Sequence, residues 1–234
     1  MACSGRGSFV DVGLLWAPFV AMPERQEIDL STPLRLGTAF RYPLQSGLAR
    51  KEIVIGALWL FVPVIGWLLN MGHRIAMVHQ MQHGKSAWPA WTDYRSLLKH
   101  GTVTFVGMVE YHAPAVICGA AAWYFEIPVL YVPAVVLWIV ATIAVPGYMS
   151  HYCYQLDPWE VFNPVRALRR VWEGGRAYWH AWGIALAALA CSFSGLLVFG
   201  VGFLVTSVWF WQVAGFSFAT VFSERFRLCE SGEV

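Results

Sequence analysis

The chain has 234 residues, 58% of them hydrophobic and 13% charged, and a formal net charge of +2. About a quarter of the residues in an ordinary soluble domain are charged, so a mean hydropathy of +0.53 points away from that class. Sixteen basic against 14 acidic residues leave no electrostatic footprint for nucleic acid, and the five cysteines show neither disulfide-framework nor zinc spacing.

Three readings are open for residues 1–21. Arg6 followed by Val12–Ala21 loosely resembles a signal peptide, although Asp11 and Pro18 intrude. Alternatively Met22 is the natural start, or the segment is a polar tail. Residues 1–51 as a whole read as a polar lead ahead of a membrane domain at 52–224, with a polar tail at 225–234. Within the lead, Thr38–Leu48 has the composition of a short surface-lying piece, with Arg41, Arg50 and Lys51 reaching head groups.

Ile53–Leu69 is an apolar run broken by Pro63-Val64-Ile65-Gly66. Basic residues flank it on both sides, and a full crossing would place one set outside, against the positive-inside rule. A re-entrant hairpin hinged at Pro63–Gly66 is therefore expected, with its bent backbone buried against other helices. A kinked spanning helix is the alternative.

Gly101–Trp123 and Ile127–Met149 are each long enough to cross a hydrocarbon core of about 30 Å at about 1.5 Å per residue. Tyr124–Glu126 joins them. Ala181–Phe222 contains no charged residue and is twice the length of one span, with a turn expected at Gly195–Gly202. Its first arm is rich in Gly, Ala and Ser, which let helix backbones approach in lipid, so that arm is expected at the centre of the bundle. All sixteen Lys and Arg fall in residues 1–99, 166–176 or 225–227. The turns at 124–126 and 195–202 are then external, and the basic loops and C-terminus cytoplasmic. The expected architecture is an all-α polytopic helical bundle of the cell (inner) membrane. It comprises two transmembrane hairpins, each preceded by an amphipathic surface helix (86–100 and 158–176), plus the re-entrant segment.

Phe40-Arg41-Tyr42-Pro43-Leu44, then Gly66-Trp67 and Gly72-His73-Arg74, then Trp88-Pro89-Ala90-Trp91-Thr92-Asp93 form an ordered set of motifs. In this the chain resembles, over roughly residues 40–225, a domain-of-unknown-function family of polytopic bacterial and archaeal membrane proteins. Those members have an RYP lead, a broken hydrophobic segment and a P-x-W-x-D segment before an apolar hairpin. The resemblance implies a bacterial-type inner-membrane protein starting at Met22, and carries no activity and no catalytic residues.

Glu110, His112 and Gln212 are the intramembrane polar candidates, counted to one depth near mid-span. A buried ionisable group there needs a partner and marks a functional site by default. A proton or cation relay competes with structural hydrogen bonding, and residues i and i+2 point about 200° apart on a helix. His79 and His83, spaced i,i+4 with Met77 and Met81 near, could hold a metal such as copper. Gln80 stands where the metalloprotease motif needs Glu. The wet face of an interfacial helix is the simpler reading. His100, His151 and His180 fall at span ends, with Cys153 close by, where they could converge on a haem or metal; interfacial anchoring is the simpler reading. Arg166, Arg169, Arg170, Trp172 and Arg176 form a basic-aromatic surface for lipid head groups or a partner. No hydrolase, nucleotide-binding or dithiol motif occurs. A non-enzymatic accessory or structural component is expected, packing with lipid, other membrane proteins or itself, without a cofactor. A small transporter or permease subunit using Glu110 is the alternative.

Overall fold

The computed structural model describes residues 28–198 and 200–223; the readings for residues 1–21 and 225–234 lie outside them. Among the described residues there are seven α-helices and no strand. They are α1 (Leu36–Arg41), α2 (Gly47–Trp59), α3 (Ile65–Gln82), α4 (Tyr94–Tyr124), α5 (Tyr131–Gln155), α6 (Pro164–Ser192) and α7 (Val201–Val221).

Four helical stretches are long and apolar enough to cross a membrane: Tyr94–Tyr124, Pro128–Gln155, Pro164–Leu197 and Val201–Val221. The chain thus has the helix lengths and composition of a multi-pass membrane protein. They pair as α4–α5 and α6–α7, with turns close to the expected places. Thr206 Oγ1 donates to Ser192 O at 2.7 Å and ties the second pair together beside its turn.

Capping residues in the sequence set the helix starts. Ser46 Oγ accepts from Ala49 N at the head of α2, and Asp93 accepts from Arg95 N and Ser96 N at the head of α4. Asn163 accepts from Arg166 N, with Pro164 in the first turn of α6. Each side chain satisfies an amide that a helix N-terminus otherwise leaves bare.

The two expected surface helices have different outcomes. Residues 86–93 are irregular, and α4 runs unbroken from Tyr94 to Tyr124, so the first hairpin has no separate surface helix. Gly101, the expected first residue of the first span, lies inside α4 and is a contact. A Cβ there would lie 1.9 Å from Leu68 O, and one on Gly72 would lie 1.8 Å from Leu97 O. The paired glycines let the α3 and α4 backbones touch, the small-residue packing that suits helices in lipid. In α6 the chain does break, at Gly175 (φ +49°, ψ −134°), which separates the basic amphipathic stretch from the apolar one.

The re-entrant reading placed its hinge at Pro63–Gly66. The helices actually part over 60–64, with Val64 at φ +65°, and α3 resumes at Ile65. Near the N-terminus of α3, Trp67 packs edge-on against Phe105 of α4 at 5.3 Å. The α2–α3 turn therefore comes level with Phe105 on α4, and its Leu60 shares a cavity wall with Phe203 and Leu204 in the first turn of α7.

The centre of the bundle is α7 rather than the Ala-rich arm of α6. Helix α7 touches α1, α2, α3, α5 and α6 and buries Val213, Phe216 and Ala219 completely. Helix α6 lends it a face of Ala181, Ala185 and Ala188. Residues 28–51, assigned to a polar lead, pack onto the same helix. Tyr42 is fully buried and stacks on Phe216 at 4.3 Å, and Trp209 Nε1 donates to Phe40 O. The Tyr of the RYP motif is a core residue.

Candidate functional site

Two of the motif segments meet at one buried node, and Tyr42 of the first lies beside it, 5.8 Å from Trp88. Glu52 on α2 and His73 on α3 are both 2% exposed and paired, Nε2 to Oε2, at 2.7 Å. Ala90 N also donates to Glu52 Oε2, at 3.2 Å, and Trp91 Nε1 donates to Glu52 O at 3.1 Å. The His73 ring stacks on Trp91 at 4.4 Å and faces Trp88 at 6.1 Å. Burial pushes the His73 pKa below its ordinary value, against the opposing pull of Glu52. Facing a carboxylate oxygen, Nε2 carries the ring N–H and donates it to Glu52. The Gly-His-Arg and Trp-Pro-Ala-Trp segments thus clasp the start of α2, and the last residue of the motif set, Asp93, caps α4.

Arg74, the next residue on α3, faces the other way into the bundle. It is 8% exposed. Its Nη2 donates only to Met149 Sδ, at 3.3 Å, and its guanidinium carbon lies 4.7 Å over the Trp211 ring. Nε has no partner. Among the described residues no carboxylate is within ion-pairing distance of it. Two cavities, of about 410 and 320 Å³, meet at Arg74, Met108 and Trp211. The larger is walled mainly by apolar side chains of α4 to α7; the smaller reaches Asn70, Ser207 and Gln212.

The intramembrane candidates do not come together. Glu110 is exposed on the outer side of α4. His112, two residues on, faces the larger cavity, with Nδ1 at 2.7 Å from Met108 O and Nε2 at 3.3 Å from Thr142 Oγ1. Gln212 is 1% exposed, lines the smaller cavity, and has no partner for either amide atom. Equal depth along two spans leaves the direction around each helix open, and here it separates them.

The His79 and His83 rings lie 4.2 Å apart, tilted to one another, but their Nδ1 atoms engage Cys153 O and His79 O at 2.7 and 2.8 Å. Burial lowers the His79 pKa, with the Cys153 carbonyl opposing and His83 and Lys85 adding to the fall. Among the described residues no group of three metal-binding side chains occurs. His100 bonds Tyr152 OH at 2.6 Å and His180 is exposed.

The basic surface is partly spent internally. Arg166 and Arg170 both clamp Glu160, at 2.7 and 2.6 Å. Burial raises the Glu160 pKa, but Arg170, His151 and Arg166 together outweigh it and hold it below the usual carboxylate range. Arg169 pairs with Glu173. Trp172, 89% exposed, and the exposed Arg176 remain available to solvent or lipid.

Sequence reasoning missed Glu52, Arg74 and the pairing of His73. The signal was present: a charged Gly-His-Arg triplet inside an otherwise apolar run needs internal partners. No protein-family model matches the chain, nor does any curated protein or solved structure.

Proposed function

We propose that the chain is a non-enzymatic accessory component of the inner membrane that assembles side by side with another membrane protein through the outer face of α4. The observation that carries this is the placement of Glu110. It is exposed on a stripe whose other members include Val106, Val109, Val116 and Ile117, all at least 46% exposed. An acidic side chain facing lipid near mid-span costs several kcal/mol, roughly 2.5–3.5 on insertion scales. A partner helix presenting a hydrogen-bond donor to Glu110 removes that cost. The Glu52–His73 pair, saturated by Ala90 and enclosed between tryptophans, is suited to holding α2, α3 and the 86–93 segment together rather than to chemistry.

Several finer readings belong to the same proposal. The α2–α3 hairpin re-enters from the cytoplasmic side, which the basic residues on both its flanks support. The basic loops lie in the cytoplasm, and Trp172 with Arg169 and Arg176 rests on anionic head groups. Kinship with the polytopic family is supported by its Gly-His-Arg and Trp-Pro-Ala-Trp motifs converging on one node, with Tyr42 of the RYP motif beside it. Transport past Glu110 is less well supported, because Glu110 lines none of the four cavities described.

The test places a photo-crosslinking residue at Val109 in cell membranes. A defined adduct to one membrane protein is expected, lost in Glu110→Leu and largely kept in Glu110→Gln, which retains a hydrogen-bonding side chain. Crosslinking to lipid alone, unchanged by Glu110→Leu, would refute the docking. Loss of solute or proton flux in Glu110→Gln vesicles, with no adduct, would favour the transporter.

A further inference from the structure

Among the described residues, Arg74 is a buried cation with no anion. Its neighbours offer a thioether and an aromatic face, which fit a guanidinium but do not neutralise it. Gln212, also buried, contributes an unused amide from the other side of the smaller cavity. Buried polar groups ordinarily find partners, and two unpartnered donors lining one cavity mark a place where an acceptor fits. The adjoining chamber is of the opposite character. Its 410 Å³ falls within the range of small-ligand sites, and Val78, Val145, Leu189, Phe210 and Phe218 among its walls offer nothing to a polar guest.

We propose that this double cavity binds a single-chain anionic amphiphile. The oxyanion head group, a carboxylate or a phosphate, lies against Arg74 and Gln212, and the hydrocarbon chain fills the larger chamber. Arg74 supplies charge-assisted hydrogen bonds to the head, and the Trp211 ring holds the guanidinium in place. The site is on the opposite side of α4 from the Glu110 stripe, so it stands or falls independently of lateral assembly there.

The experiment uses the full chain in a neutral detergent, with radiolabelled palmitate measured by scintillation proximity. Saturable binding of one palmitate per chain is expected. Hexadecanol, with the same chain and no charge, should compete at least about tenfold more weakly. Competition by palmitoyl lysophosphatidate decides between carboxylate and phosphate heads, and inorganic phosphate alone should not displace palmitate. Arg74→Gln should weaken binding by about tenfold or more. Leu189→Trp, which plugs the chamber without touching Arg74, should abolish it at an unchanged unfolding temperature. If Arg74→Gln fails to fold, Leu189→Trp and the hexadecanol comparison decide. Equal competition by hexadecanol, displacement by inorganic phosphate, wild-type binding in Leu189→Trp, or no saturable binding would each overturn the proposal.

Discussion

Truncating Glu52 to alanine removes the acceptor shared by His73 Nε2 and Ala90 N. Both donors are buried, and leaving a buried donor bare costs about 1–3 kcal/mol. The pair together puts the loss near 2–6 kcal/mol, with about 4 as the central figure. Glu52→Gln keeps the shape and one acceptor oxygen, so about 1–2 kcal/mol is expected. At roughly 2–4 °C per kcal/mol for a chain of this size, the midpoints fall by about 8–16 °C and 2–8 °C respectively. Size-exclusion chromatography of heated, detergent-solubilised protein reads both shifts. The double variant Glu52→Ala/His73→Ala should be less destabilised than the two single losses added, because the second change removes a group already stranded. Strict additivity, or a Glu52→Ala shift under about 2 °C, would refute the clasp.

Other consequences follow from the same geometry. Because burial holds His73 below its unfolded value near 6.5, the unfolded chain takes up the proton first. The stability is therefore complete above pH 6.5 and lost as pH falls through the lowered native value. Subtracting the pH profile of His73→Gln from that of wild type should isolate this slope, and parallel profiles would contradict it. Gly72→Leu forces a side chain into Leu97 O and should destabilise by about 1–3 kcal/mol or prevent folding. A well-folded Gly72→Leu would show that α3 and α4 do not touch. Tyr42→Ala empties a fully buried site against Phe216 and should cost about 3–5 kcal/mol, read as the same thermal shift. An unchanged midpoint would detach the 28–44 segment from the core. Arg170→Ala leaves Glu160 with Arg166 alone and should open the 158–174 segment to protease without unfolding the spans.

The spans and their turns were legible because length and the sorting of charge are one-dimensional properties. An apolar run has to be helical in lipid, and lysines and arginines avoid its outer turns whatever the packing. What surrounds a helix was not legible in this way. Glu110, His112 and Gln212 share a depth, yet one faces out, one faces the large chamber and one faces the small one. Glu52 follows Arg50 and Lys51, so it reads as one more interfacial charge; its partner is 21 positions away on another helix, and its third contact comes from an irregular stretch. Gly101 shows the same limit. A glycine after a basic turn reads as the first residue of a span, but in a helix packed against another glycine it is where the backbones meet. Gly175, with no such contact, does break its helix. The 28–44 segment was read by its charges, whereas Leu30, Leu34, Ala39 and Tyr42 are what the core uses.

Single cysteines in a background freed of native ones test the arrangement most directly. They are placed at Glu126, Leu197, Val62 and Lys85 and labelled in intact cells with a membrane-impermeant maleimide. The expected result is labelling of Glu126→Cys and Leu197→Cys from outside, and none of Val62→Cys at the α2–α3 turn or of Lys85→Cys. Labelling at Val62 would make the α2–α3 hairpin a full crossing. External labelling at Lys85, with none at Glu126 or Leu197, would invert the bundle and contradict the account.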